Sequence, residues 1–168
     1  MKPMDEVPGR SVRGERLRRY GVTAVAVAAA AAAGAAAVDP DTAWYRALRK
    51  PAWQPPPWTF GAVWTPLYAS LAVAGGHALG RTRGRERRRL ATGLGANLVL
   101  NAGWNWLFFR LRSPRAALAG TALLDLSNAD LIRRTARADP GAARALAPYA
   151  AWCAFATALN ASLVRRNP

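Results

Sequence analysis

Long stretches almost free of charge alternate along this chain with short arginine-dense segments. Gly21 to Val38 runs 18 residues without a charge, and Trp58 to Leu79 runs 22 interrupted only by His77. Leu90 to Leu111 carries Arg110 at its end, and Ala142 to Val164 carries Arg144 near its start. At about 1.5 Å per helical residue, each stretch reaches across a hydrocarbon layer of roughly 30 Å. Ala116 to Ile132 is shorter and more polar, with Asp125, Asn128 and Asp130. It counts as a fifth span because Arg115 and Arg133–Arg134 bracket it. The pattern predicts an all-α membrane protein. A basic tail over 1–20 precedes one domain over 21–166, a bundle of five transmembrane helices (21–38, 58–79, 90–111, 116–132 and 142–164) with a long loop between the first two.

Composition narrows the alternatives. A hydrophobic content of 52% with seven tryptophans excludes a disordered chain. Cys153 is the only cysteine, which excludes a disulfide framework, and one Cys with one His argues against zinc chemistry. The formal charge of +15, from 24 Lys and Arg against 9 Asp and Glu, raises the question of nucleic acid. A nucleic-acid surface interleaves its arginines with polar residues on a folded face. Here they punctuate apolar blocks, so no nucleic-acid partner is expected; topology and anionic lipid explain them. Sixteen of the 24 fall in the N-terminal tail, the Arg81–Arg89 loop and the connection between the last two spans, which places those segments and the N-terminus on the cytoplasmic side and the C-terminus outside. Arg18–Arg19, an alanine-rich run and Ala35–Ala37 would also suit a cleaved signal peptide. Against cleavage, Ala26, Ala30 and Gly34 recur at four-residue spacing, as in a helix that packs closely in a bilayer.

The first connection, DPDTAWYRALRKPAWQPPP from Asp39 to Pro57, is too long for a simple helix-to-helix link. Asp41 or Thr42 can cap a short helix, Ala43 to Arg49, that lays Trp44, Tyr45 and Leu48 over the mouth of the bundle. Pro51 stops it, and Pro55–Pro57 forms a stiff extended run into the second span. Trp53 and Trp58 equally fit an interfacial aromatic belt.

Three ordered blocks, WYRALRKPAWQPPPWTFGAVWTPLY (Trp44–Tyr68), LNAGWNWLFF (Leu100–Phe109) and LAPYAAWCAFATALN (Leu146–Asn160), resemble the signature of the TspO/MBR family of tryptophan-rich sensory and translocator proteins. The resemblance implies a five-helix bundle in a bacterial cytoplasmic membrane, often a homodimer, with a hydrophobic pocket beneath the first loop. It implies a hydrophobic small-molecule partner, with porphyrin or haem as possible ligand, sterol less so, and no obligatory cofactor. Some bacterial members are reported to promote light-dependent porphyrin breakdown through pocket tryptophans. The positions that match the family's pocket are Trp44, Tyr45, Trp64, Tyr68, Asn101, Trp104, Trp152 and Ala156. Independently of the family, a planar tetrapyrrole needs flat apolar faces, and tryptophan is the largest available. Trp64 with Tyr68, and Trp152 with Ala156, are four apart and share helix faces. Trp106 reads instead as a packing or lipid-facing residue. The family's C-terminal sterol motif lacks its aromatic here, where Leu159–Asn160 is followed by ASLVR.

Polar residues inside the spans supply the remaining chemistry. Thr121, Asp125 and Asn128 share one face of the fourth span, and Asn97, Asn101 and Asn105 form a stripe on the third. An intramembrane Asp costs roughly 2.5–3.5 kcal/mol to insert and is a functional candidate by default. The alternative is glue, with Asp125 bonding the asparagines of the third span. Asp130 reads as a boundary ion pair with Arg133 and Arg134. His77 suits haem iron chemically but has no evident axial partner. Three functional classes follow. One is a binding protein acting as sensor, sink or transporter. Another is an enzyme acting through Trp64, Trp152 or Asp125. The third is a regulatory membrane partner without an obligatory ligand. The ligand-binding set is Trp44, Tyr45, Trp64, Tyr68, Asn101, Trp104, Asn105, Asp125, Trp152 and Ala156.

Overall fold

In a computed structural model, which describes residues 8–168, the chain is helical wherever it is regular. The helices are α1 (Pro8–Ala35), α2 (Ala43–Ala47), α3 (Pro57–Arg81), α4 (Gly84–Asn105), α5 (Pro114–Ala138) and α6 (Pro140–Arg166), and a π-helical turn, Trp106–Arg110, continues α4. Residues 1–7, including Lys2 of the basic tail, lie outside the described part.

Local chemistry sets the boundaries. Proline at the first helical position suits α3, α5 and α6, because its missing N–H would be unpaired there anyway. Ser113 caps α5 by accepting from the Ala116 amide at 3.2 Å, and Asp139 caps α6 by accepting from the Ala142 amide at 2.9 Å. Thr42 is the cap of α2, its Oγ1 accepting from the Tyr45 amide at 3.2 Å, and the helix stops at Ala47, two residues earlier than Pro51 alone suggested.

The five long helices close a ring in the order α1, α3, α6, α5, α4 and back to α1. Leu71, Leu94, Leu98, Leu124, Leu146 and Tyr149 fill its centre. On α1 the buried line is Thr23, Val27 and Gly34, continued by Ala37 just past the helix end, with Ala30 packed against the core; Ala26 points outward, so the expected four-residue stripe is corrected to alternating steps of four and three. That spacing keeps one seam of a helix facing its neighbours. A Cβ on Gly34 would lie 2.9 Å from Asn105 Nδ2 and 3.4 Å from Ala102 Cα, so α1 and α4 meet at the closest approach a glycine permits.

The described residues form six helices, the five long ones and α2, the short helix expected within the first connection. Two points differ from the expectation. The α5–α6 connection shrinks to Asp139, with Arg133, Arg134 and Arg137 inside α5 and Arg144 inside α6. Finally, among the described residues no helix is long and apolar enough to cross a membrane. Helix α1 ends at Ala35, so its apolar run contributes only about 22 Å of helix. The other long helices mix alanine, glycine and tryptophan with buried amides and threonines.

Candidate ligand-binding site

At the end of the ring where α3 and α5 begin and α6 finishes, aromatic side chains crowd together. From α2, Trp44 sets its ring edge-on to Phe108 with centroids 5.4 Å apart, and Tyr45 packs on Phe109 at 5.4 Å. Lys50 Nζ sits 4.0 Å from the Tyr45 ring centroid, and Gln54 Nε2 donates to the Tyr45 hydroxyl at 3.3 Å, so the connection folds onto its own short helix. The π turn buries Phe108 by adding a residue to the helical repeat, and Trp104, one turn earlier, stacks on that ring at 6.0 Å. Arg49 and Asn167 then exchange bonds: the Arg49 amide donates to Asn167 Oδ1 at 2.9 Å, and Asn167 Nδ2 donates to the Arg49 carbonyl at 3.2 Å. The last turn of the chain thereby holds the first connection in place.

Deeper in the bundle, Trp64 stacks on Tyr68 at 5.0 Å and meets Tyr149 edge-on at 6.1 Å. On the neighbouring face Trp152 stacks on Phe155 at 5.1 Å and meets Phe60 edge-on at 6.0 Å, while Trp53 reaches Phe155 from the first connection at 5.7 Å. Trp58 and Trp53 are exposed. Ala156, half-buried, follows Phe155 on α6. The aromatic side chains pack on one another, and the clefts described below lie at the opposite end of the bundle.

The polar residues are paired differently from the sequence expectation. Tyr68 donates to Asn101 Oδ1 at 2.8 Å, Asn101 Nδ2 donates to the Tyr149 hydroxyl at 3.3 Å, and Tyr149 donates to Asn97 Oδ1 at 2.8 Å. Asn97 Nδ2 continues the chain to Asn128 Oδ1 at 2.7 Å and Ser127 Oγ at 3.1 Å. The asparagine stripe of α4 is therefore satisfied by Tyr68, Tyr149, Ser127 and Asn128, not by Asp125. Asp125 instead accepts from Thr157 of α6 at 2.6 Å, because this part of the α5 face is turned toward α6. Thr121 bonds the Leu118 carbonyl of its own helix. Asn105 reaches back to the Asn101 carbonyl at 3.5 Å and stands against Gly34.

Several buried polar atoms have no hydrogen-bond partner: Trp104 Nε1, Asp125 Oδ1, Asn128 Nδ2 and both polar atoms of the Asn160 amide. Buried polar groups are nearly always paired, so each such atom calls for a cause. Tyr149, Thr157 and Asn160 were missed as site residues. Their signal is the buried line Tyr149, Cys153, Asn160 on α6, with Thr157 between, a stripe of one helix face within the quoted Leu146–Asn160 block.

At the other end of the bundle His77 is fully engaged. The Tyr20 hydroxyl lies 3.0 Å from its Nδ1 and Asp139 Oδ2 lies 3.0 Å from its Nε2, which leaves neither ring nitrogen for haem iron. The Ala142 amide and the His77 ring hold the Asp139 carboxyl below its usual range, against a partial loss of solvent that works the other way. Asp130 pairs with Arg133 at 2.6 Å and with Arg134, as its position suggests. Trp106 donates from Nε1 to the Ala33 carbonyl at 2.9 Å and is exposed, so it serves the α1 terminus and not the aromatic cluster.

A ring of five long helices, capped by an aromatic loop helix and holding the unpaired Trp104 Nε1 beneath it, defines an all-helical protein with a candidate site at the loop end. Residues 22–166 match the model of the TspO/MBR family, and the chain belongs to that family. It is similar to the tryptophan-rich protein TspO of Chlorobaculum tepidum, with 34% identity over 77% of this chain and 82% of that protein. It is similar also to the translocator protein of Homo sapiens, 35% identical over 74% of this chain and 75% of that one, and to the tryptophan-rich sensory protein of Cereibacter sphaeroides, 31% identical over 74% and 77%. The family is membrane-associated.

Proposed function

We propose that the chain is a multi-pass membrane protein that binds a flat hydrophobic ligand of the tetrapyrrole class at the loop end, as sensor, sink or transporter. The observation that carries the ligand is Trp104 Nε1, a buried donor without a partner whose ring stacks on Phe108, with Asp125 Oδ1 and the Asn160 amide likewise unpaired on α5 and α6. A tetrapyrrole offers what both features lack: wide apolar faces for the rings, pyrrole N–H donors for the carboxylate, and carboxylate acceptors for the indole and amide N–H groups. Entry requires the aromatic contacts of α2 to part.

Membrane placement rests on how the residues are distributed around the ring. Val25, Val99, Leu123 and Leu126 stand outward, with Val99 71% and Leu126 69% exposed, while Asn97 and Asn128 are turned inward and buried. Hydropathy averaged along a helix counts those inward amides against it, yet lipid would meet only the outer face. The long helices of 25 to 28 residues would span roughly 37–42 Å, enough to include the headgroup regions.

Titration of the purified protein with protoporphyrin IX, read by tryptophan quenching, tests the site. Trp64→Phe combined with Trp152→Phe should weaken binding about tenfold, from two stacking contacts of roughly 0.5–1.5 kcal/mol each. Trp106→Phe should leave affinity unchanged. An equal loss from Trp106→Phe, or no saturable quenching, would overturn the reading.

A further inference from the structure

The end of the bundle remote from the tryptophans carries a second feature. Between the first turns of α4 and the last turns of α5 lie two adjoining clefts, the more enclosed of about 60 Å³, that share Arg89 and Arg134 as walls. Arg137 and Glu86 complete the first. Among the described residues Arg89 and Arg137 make no ion pair, whereas Asp130 is already held by Arg133 and Arg134. The cleft therefore presents two guanidinium groups outside any ion pair, Arg89 and Arg137, against the one carboxylate of Glu86, and Arg81, Arg83, Arg85, Arg87 and Arg88 raise the positive potential around it.

The second cleft gives the first a direction. It runs along α4 past Thr92, Gly93 and Ala96, a row of small side chains leading away from the arginines. One turn beyond Ala96 the row reaches exposed Val99, and on the α5 side Leu126 and Leu123 are exposed one and two turns beyond Asp130. Guanidinium donors at one end and a shallow apolar track leading off it match one molecule with a phosphate head and a hydrocarbon tail.

We propose that this α4–α5 groove is a binding site for an anionic phospholipid. Arg89 and Arg137 take the phosphodiester beside the wall formed by the Arg134–Asp130 pair, Glu86 accepts from a headgroup hydroxyl, and an acyl chain lies over Gly93 and Ala96. A free phosphate would satisfy the arginines but has nothing to place on the track. The inference rests on the membrane placement proposed above.

Native mass spectrometry of the full chain in neutral detergent micelles, titrated with phosphatidylglycerol, phosphatidylcholine or inorganic phosphate, tests it. One phosphatidylglycerol should be retained at least tenfold more tightly than phosphatidylcholine. R89Q/R137Q should weaken that retention by roughly thirty-fold, as removing two surface cations near a lipid phosphate implies. R165Q/R166Q, at the opposite end, should leave it unchanged, and protoporphyrin quenching should survive in both variants. Equal retention of the two lipids, equal loss in R165Q/R166Q, or phosphate displacing the lipid at matched concentration would overturn the proposal. Membrane fractionation of expressing cells separates the two readings: recovery without membranes overturns both, whereas membrane recovery without lipid selectivity overturns only this one.

Discussion

Asp125 is the residue whose substitution tests the proposed site most directly. Thr157 satisfies one of its oxygens and the other is buried without a partner. Thr157 also reaches the Cys153 carbonyl at 3.2 Å, so it keeps a bond if the carboxylate is removed. Asp125→Leu should therefore fold with stability within about 1 kcal/mol of the wild type, or above it, because it also removes a carboxyl that costs free energy to bury. Asp125→Asn should fold equally well. If the free oxygen meets a ligand donor, porphyrin affinity falls in Asp125→Leu and less in Asp125→Asn. Thermal melting in detergent with parallel quenching titrations measures both, and unchanged affinity in Asp125→Leu would reduce the residue to packing. The sequence already marked Asp125 as exceptional, since an acid within an apolar run is costly. It could not show that the partner is Thr157, because a threonine amid alanines carries no such signal and the facing of α5 toward α6 is set by the whole ring. Tyr149 was hidden for the related reason that an aromatic on an apolar helix reads as core until its hydroxyl finds two asparagines.

Helix positions were legible because charge density rises sharply at the ends of the apolar stretches, and the five stretches lie along α1, α3, α4 with its π turn, α5 and α6. The π turn was not legible. Inserting one residue shifts the facing of Trp106 to Arg110 without disturbing the apolar composition that defines the stretch. For α1 the small-residue pattern pointed to close packing, but alanines at nearly every position concealed which of them face inward; only Gly34, tight against Ala102 and Asn105, stands out. Gly34→Leu should push α1 from α4 and cost about 1–3 kcal/mol by overpacking. Gly21→Ala, with nothing within 4 Å of the new methyl, should stabilise α1 by up to about 1 kcal/mol through helix propensity. Melting temperatures of the two variants should move in opposite directions, and a neutral Gly34→Leu would refute the close α1–α4 approach.

Across the whole molecule the two ends differ in kind. One gathers Tyr20, His77, Asp139 and the arginines of α3, α4 and α5, and the other gathers the aromatic rings of α2, α3, α6 and the π turn. The ring order was out of reach of the sequence, since every long helix has apolar residues enough to pair with any other. The segregation of charge was legible, and it gives a topology prediction. Reporters inserted between α3 and α4, near Thr82, should read cytoplasmic, and reporters in the Asp39–Pro56 connection should read external. The same compartment for both would exclude this arrangement. The Arg49–Asn167 clasp adds a practical corollary. It joins residues 118 apart in the chain, so any displacement of the first connection would be passed to the end of α6. A fusion placed directly behind Pro168 would act as a wedge in the doorway, while a small dye at that same position would serve as a gauge of whether the door is open.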